Sequence, residues 1–356
     1  MVDRQTLEKW RNAPRLTSFA RFFDRTASGQ GGAPGLGEPE MDMALFDFDL
    51  EVAVFSDTYR RLGGPFDSHY VASIPYRYEE ACRMGAGIFS FALRIWARNA
   101  APTTIYTLGT GTGRMSRALA ALGDGRIKTL CCSPTEANRD AFYANRGSEH
   151  AHFFLGPFFD LNQERYATDP DLAAFRSGFD VLVEDTTFQM YDSDRRKQLE
   201  FIVPRIRPGG ILILVQKLAQ RDPRVYEKGE RQKDEHFKAR YFSADDIAEK
   251  KDEVVSTMGS LQVDLETTTS ALASFFRYGV LTWNSGNFYT IIASNSRASI
   301  LELVSLLLKP AIPPAYCYEA LPGVILDTEA DALAPSLNWR TAKTMTPVAP
   351  RPAVAP

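Results

Sequence analysis

The sequence predicts an α/β fold built on a doubly wound parallel sheet, and three observations carry that prediction. From residue 103 onward short apolar runs alternate with amphipathic stretches, a glycine-rich turn follows the first run, and Ser133-Pro134-Thr135-Glu136 follows the second. Strand and helix patterns in alternation are the signature of strand–helix–strand units around a parallel sheet.

The first apolar run, Ile105-Tyr106-Thr107-Leu108, passes straight into Gly109-Thr110-Gly111-Thr112-Gly113, and a helical pattern occupies residues 114–122. Glycines two apart allow a tight turn and let a ligand approach main-chain N–H groups with no Cβ in the way. The helix start adds free donors and partial positive charge. Many tight turns need glycine and bind nothing, so the neighbours of this one decide its meaning.

The remaining strands are expected at 127–132, 152–155, 179–184 and 211–215. Met115, Ala118, Leu119 and Leu122 recur at helical spacing, as do Leu199, Ile202, Val203 and Ile206, giving each helix one apolar face for the sheet. Ser133 to Glu136 reads as a capping box with proline at the first helical position. Arg207-Pro208-Gly209-Gly210 turns the chain into the fifth strand.

Outside this region the organisation is read more coarsely. Residues 1–41 form a leader, with a helix over 6–23 and a flexible linker at the glycine-rich 28–37. Residues 42–100, rich in aromatics and helix formers, form a helical cap before the core at 101–296. The mixed-charge stretch 221–240 reads as a solvated loop with room for a helix, its charges needing no function. Residues 261–265 alternate as a half-buried strand should, and 288–293 is the final strand. A C-terminal helix and extension cover 297–332, and the Pro- and Ala-rich 333–356 reads as a disordered tail.

Composition sets bounds on function. At 356 residues, 44% hydrophobic and 24% charged, the chain can bury a large core. No run of about eighteen apolar residues occurs, so no membrane span is expected, and the mixed charges of the first 25 residues give no secretory signal, which makes a cytoplasmic address the default. Four cysteines fit neither a disulfide framework nor zinc-ligand spacing. A net charge of −3 with interspersed signs argues against nucleic acid as a partner.

Taken in order, the Leu-Gly-Thr-Gly-Thr-Gly turn, Cys132-Ser133-Pro134-Thr135-Glu136, Phe179-Asp180-Val181-Leu182-Val183 and Ile206-Arg207-Pro208-Gly209-Gly210 make the chain resemble the class I S-adenosylmethionine-dependent methyltransferase superfamily. The resemblance covers roughly residues 103–294. It implies a Rossmann-like doubly wound sheet, mostly parallel with an antiparallel last strand, behind the N-terminal helical cap. It also implies S-adenosyl-L-methionine as cofactor, contacted by Thr107, Gly109, Thr110, Gly111, Gly113, Cys131, Ser133, Asn138, Glu184, Asp185 and Thr186.

Two positions depart from that family. Acids commonly stand two residues before the first glycine and at the end of the second strand, where a carboxylate takes both ribose hydroxyls. Here they are Thr107 and Cys131, and a thiol cannot accept two hydroxyl donors as a carboxylate does. Ribose recognition then falls to Glu136, Asn138 or an acid of the cap, or the cofactor lies in an unusual pose. Asp185 occupies a place where metal-dependent catechol-type O-methyltransferases carry a ligand, but those enzymes continue with Asp-Asn where this chain has Val215-Gln216. One carboxylate does not hold magnesium, so no metal is expected.

Glu184 and Asp185 end an apolar strand at the edge where open parallel sheets bind ligands. They serve either as contacts to the cofactor's cationic groups or as an exposed turn. Gln189 and Tyr191, just beyond, are substrate-side candidates. From the cap, His69 is a candidate general base. Tyr70, Tyr76 and Tyr78 can offer ring faces to a sulfonium, or they pack the cap on the sheet.

The leading expectation is methyl transfer to a small molecule, in which positioning is the main catalytic device. The alternative keeps the cofactor and attacks its aminocarboxypropyl carbon, by transfer or by ring closure with release of methylthioadenosine. A non-catalytic scaffold of the same fold is the third reading, and a nicotinamide-binding protein a weaker fourth.

Overall fold

Strand alternation sorts the side chains of one sheet onto two cores. Tyr106, Leu182, Leu212 and Leu214 join one buried cluster, while Ile105, Val181, Val183, Ile211 and Ile213 join the other. Strands buried on both faces read as continuous apolar runs, which is why they were legible. The computed structural model describes residues 2–329 and 333–342.

The leader contributes α1 (Arg4–Arg11) and α2 (Ala20–Ala27), and the cap α3 (Leu50–Arg61), α4 (Pro65–Ser73) and α5 (Arg77–Asn99). The core runs β1 (Thr103–Leu108), α6 (Arg114–Gly123), β2 (Ile127–Ser133), α7 (Glu136–Ala144), β3 (Ala151–Leu155), α8 (Gln163–Thr168), β4 (Phe179–Asp185), α9 (Arg195–Ile202) and β5 (Ile206–Lys217). Then come α10 (Pro223–Arg231), α11 (Ala244–Lys250), α12 (Ser256–Gly259), α13 (Leu265–Ala273), β6 (Tyr278–Ser285), β7 (Phe288–Ser294), α14 (Arg297–Val304) and β8 (Gly323–Asp327).

The sheet order is β3-β2-β1-β4-β5-β7-β6-β8. The first five strands are parallel, and β7 runs antiparallel to β5. α6 packs its Met115, Ala118 and Leu119 on one face and α9 its Leu199 and Ile202 on the other. The chain therefore has a Rossmann-like, doubly wound α/β fold, its sheet mostly parallel with antiparallel strands at one end. The order reverses between β1 and β4, and that switch point is where open sheets of this kind bind ligands.

Several expectations are corrected. The helix expected over 6–23 is two helices, because Pro14 begins a 3-10 turn at Pro14–Leu16 and cannot sit inside a helix. The glycine-rich stretch at 28–37 is tied down: the Gly35 and Leu36 N–H groups both donate to the Tyr241 carbonyl at 3.0 Å. Ser133 does not cap α7. The β2–β3 ladder runs through it, its carbonyl accepting from Gly156 N at 2.9 Å, and Thr135 takes the N-cap position.

Residues 261–265 form no strand. Asp264 instead caps α13 by accepting from Thr267 N at 2.8 Å, and β6 takes the place beside β7. Beyond it β8 adds an edge strand that the sequence reading missed. The start of the expected disordered tail is packed: Leu333 is fully buried, and Arg340 N donates to the Leu307 carbonyl at 2.8 Å. The rest of that tail, 343–356, lies outside the described residues. Among the described residues no helix is long and apolar enough to cross a membrane.

Candidate active site at the carboxyl edge of the sheet

A cavity opens at the switch point, enclosing about 1160 Å³ free of protein atoms with its mouth included. Its floor is Thr107, Gly109 and Thr110 at the end of β1 and the turn after it, and Asp185 and Thr186 at the end of β4. Its roof comes from α2 and α4, through Phe22, Phe23, Phe66, Asp67, His69 and Tyr70. Gln189 lines it as well, its side-chain oxygen accepting from Lys217 N at 3.1 Å.

The glycine turn is shaped by the protein's own neighbours. Gly109, Gly111 and Gly113 have φ of +70°, +56° and +67°. A Cβ would strike the Thr187 hydroxyl at Gly109, the Phe66 ring at Gly111 and the Cys131 sulfur at Gly113. Gly111 and Gly113 thus face protein groups, and only Gly109 of the three lies on the cavity wall. Thr107 Oγ1 is hydrogen-bonded to Thr110 Oγ1 at 2.9 Å and Ser116 Oγ at 2.7 Å, which fixes the turn from within.

The end of β2 does not reach the cavity. Cys131 is fully buried among Ala120, Phe142 and Ala151, and burial pushes its thiol pKa well up. Ser133 and Asn138 hydrogen-bond each other at 3.0 Å, both buried. The leader packs over this corner, where Arg15 Nη2 donates to Thr135 Oγ1 at 2.8 Å and stacks 4.1 Å over Phe23. Cys131, Ser133 and Asn138 therefore do not line this cavity.

The two acids that end β4 have separate roles. Glu184 is fully buried, and its Oε1 accepts from Thr187 N at 2.6 Å and Phe188 N at 2.8 Å, while Gln216 donates to Oε2. Desolvation raises its pKa to about 7 against the pull of those N–H groups. It shapes the turn and does not line the cavity. Asp185 does line it, accepting from the Tyr70 hydroxyl and pairing with Arg77 Nη2 at 2.7 Å. Thr186 holds φ +53°, a left-handed conformation that a β-branched residue rarely adopts, fixed by its N–H donating to Val215 O at 2.7 Å.

Burial alone would lower the pKa of Arg77, and Asp185 beside it reverses the direction, so it stays charged. Burial and the Asp185 charge push the Tyr70 phenol well up, so it stays a donor. His69 lines the cavity with both ring nitrogens engaged, Nδ1 by the Gly32 carbonyl and Nε2 by Lys250 Nζ at 2.5 Å. Burial first, and Lys250 second, hold its pKa well below the usual value. It has no nitrogen left for an acceptor's proton, which corrects its reading as a general base.

The remaining candidates are structural. Tyr76 packs against Phe237, Tyr241 and Tyr316, and Tyr78 accepts from Arg114 Nη2 at 3.2 Å within the other core. Tyr191 is buried against Phe158 and Phe159. Sequence reasoning missed Phe22 and Phe23, because a leader helix shows no sign of where it docks. It also missed Lys217, Lys233, Lys238 and Lys250, which line the cavity although two of them, Lys233 and Lys238, come from the mixed-charge stretch 221–240 expected to be solvated. Among the described residues no three His, Cys, Asp or Glu side chains are grouped to hold a metal ion.

No family model matches the chain, and no curated protein does. Solved structures similar to it include an O-methyltransferase family protein from Burkholderia thailandensis, at 14% identity over 55% of this chain and 52% of that one, with a TM-score of 0.36. The chain thus spans about half the length of that protein. The plantazolicin methyltransferase BpumL in complex with SAH is similar at 10% identity over 69% of this chain and 96% of that one, TM-score 0.42. The mitomycin 7-O-methyltransferase MmcR is similar at 14% identity over 82% and 71%, TM-score 0.36.

Proposed function

We propose that the protein is an S-adenosylmethionine-dependent enzyme that transfers a methyl group to a small molecule in this cavity. The observation that carries the reading is the meeting of the Thr107–Thr110 turn, the β4 end and an aromatic roof at the switch point of the sheet. The cofactor, when bound, supplies a methyl group activated by a sulfonium.

The residues present fit this cofactor with one rearrangement. Asp185 and the rings of Phe66 and Tyr70, which are stacked with centroids 6.2 Å apart, offer negative charge and π faces to its cationic groups. The ribose acid absent from Cys131 has a replacement in the cap. Asp67 lines the cavity from α4, its Oδ2 held by Gly64 N at 2.8 Å and Thr112 Oγ1 at 2.6 Å. We assign it the ribose hydroxyls. Phe22, Phe23 and Met190 exclude water, and the Arg77–Asp185–Tyr70 cluster holds the floor against the cap, so that positioning does most of the work.

Calorimetric titration with S-adenosylmethionine and S-adenosylhomocysteine tests the reading, with binding of both expected and a loss of at least tenfold in Asp67→Asn. Absence of binding by either at millimolar concentration would leave the scaffold reading. Incubation with S-adenosylmethionine alone separates the chemistries, since release of methylthioadenosine would replace methyl transfer with reaction at the aminocarboxypropyl carbon.

A further inference from the structure

Four lysines line the cavity, and three of them share two carboxylates. Lys217 and Lys233 both reach Glu230 Oε2, at 2.7 and 2.5 Å, and Lys238 reaches Asp234 Oδ1 at 3.1 Å. Lys217, Lys233 and Lys238 are 1%, 6% and 3% exposed, so these are not solvated surface charges.

Among the described residues Lys250 has no carboxylate partner. Its enclosed amine donates to two neutral groups, His69 Nε2 at 2.5 Å and Ser73 Oγ at 2.7 Å. Of the acids flanking it in sequence, Glu249 and Glu253 pair with Arg25 at 3.3 and 2.8 Å, and Asp246 accepts from Ser243 Oγ at 2.6 Å. Desolvation, reinforced by Lys238 and Lys233, holds its pKa well below the ordinary value. Buried cations in excess of their counter-charges are costly and mark a place that an anion completes.

The surrounding walls are apolar. Phe22 lies 5.9 Å from Lys250 Nζ and Phe288 5.9 Å from Lys217 Nζ, and Val254 and Met258 line the same cavity. This low-dielectric setting strengthens attraction for an incoming anion and excludes competing water.

We propose that Lys217, Lys233, Lys238 and Lys250 bind an anionic group, a carboxylate or a phosphate, carried by the acceptor substrate. The proposal rests on the cavity being the cofactor and acceptor site, and it names the acceptor's class: a small molecule with an apolar body and an anionic end. The lysine end recognises the anion and thereby sets which atom faces the methyl donor at the β1–β4 edge.

The test titrates inorganic phosphate and, separately, succinate into the full-length protein, alone and saturated with S-adenosylhomocysteine. Saturable binding of at least one anion is expected in both states, phosphate or succinate identifying which group is read. Lys238→Met and Lys250→Met should each weaken it at least tenfold, while S-adenosylhomocysteine affinity stays within threefold and Lys238→Arg retains binding. The bound anion should raise the melting temperature of the parent protein and leave that of Lys250→Met unchanged, a comparison that also shows the variant is folded. Failure of both anions to bind, or binding insensitive to the lysine substitutions, overturns the proposal. Competition between anion and S-adenosylhomocysteine also overturns it, because the lysines would then hold the cofactor's own carboxylate. Anion binding without any S-adenosylhomocysteine binding would instead sink the cofactor reading and leave the anion site standing.

Discussion

Arg77 Nη2 stands 2.7 Å from Asp185 Oδ2, with the two side chains only 5% and 10% exposed, so the first residue of α5 is ion-paired to the last residue of β4. The cap is thereby fastened to the sheet at the edge of the cavity. Removing one member of a buried pair leaves an uncompensated charge, which costs about 3–5 kcal/mol. Arg77→Met should lose stability on that scale in urea denaturation. Arg77→Met combined with Asp185→Asn should lose less than Arg77→Met alone, and a larger loss in the double variant would show that the two do not act as a pair.

Gly113 is the N-cap of α6 in a left-handed conformation, and a Cβ there would strike the Cys131 sulfur. Gly113→Ala should therefore cost about 2–4 kcal/mol, part from φ and part from overpacking. Adding Cys131→Ala removes the clash and leaves the φ strain, so a double-mutant cycle should show a favourable coupling of about 1 kcal/mol. Strictly additive losses would place the clash elsewhere.

Glu184 carries a pH signature. Burial raises its folded pKa to about 7 from the ordinary 4.5, so its favourable contribution is complete below pH 4.5 and is lost as pH rises through 7. Glu184→Gln has no such titration and also sets an amide against the Gln216 amide donor. The parent should thus be more stable than Glu184→Gln at pH 5, by a margin that shrinks towards pH 8 in thermal melts. A margin that grows with pH would mean the carboxylate is stabilised in its ionised form.

Arg340 holds the chain after β8 against the cap. Its guanidinium makes two hydrogen bonds to the Asp49 carboxylate, at 2.6 and 2.9 Å, and a third to the Leu306 carbonyl at 3.1 Å. Asp49 is fully buried at its side chain and also caps α3 through Val52 N at 3.0 Å. Arg340→Met should lower stability by about 3 kcal/mol or more and speed proteolysis near residue 340. An unchanged melting temperature would show that the contact contributes nothing.

The core strands and the turn after β1 could be read because their signals are local. Ile105, Val181 and Ile211 lie in runs apolar on both faces, and Gly109 and Gly113 stand where φ is positive. The site was legible in part. Thr107, Gly109, Thr110, Asp185, Thr186, Tyr70 and Gln189 do line one cavity, while Tyr76, Tyr78 and Tyr191 pack in cores. Rings and carboxylates look alike in a sequence whether they face a ligand or a neighbour.

By itself the sequence determined the α/β class, the parallel strands and the place of the glycine turn, because period and backbone preference act over a few residues. The tertiary structure decided which side chains meet. It put Cys131 behind Gly113, laid Phe22 and Phe23 of the leader over the cavity, and drew Lys217 together with Lys250, 33 positions along the chain, inside the protein. Whether a charge is buried depends on contacts between distant segments, and only the folded chain brings those segments together.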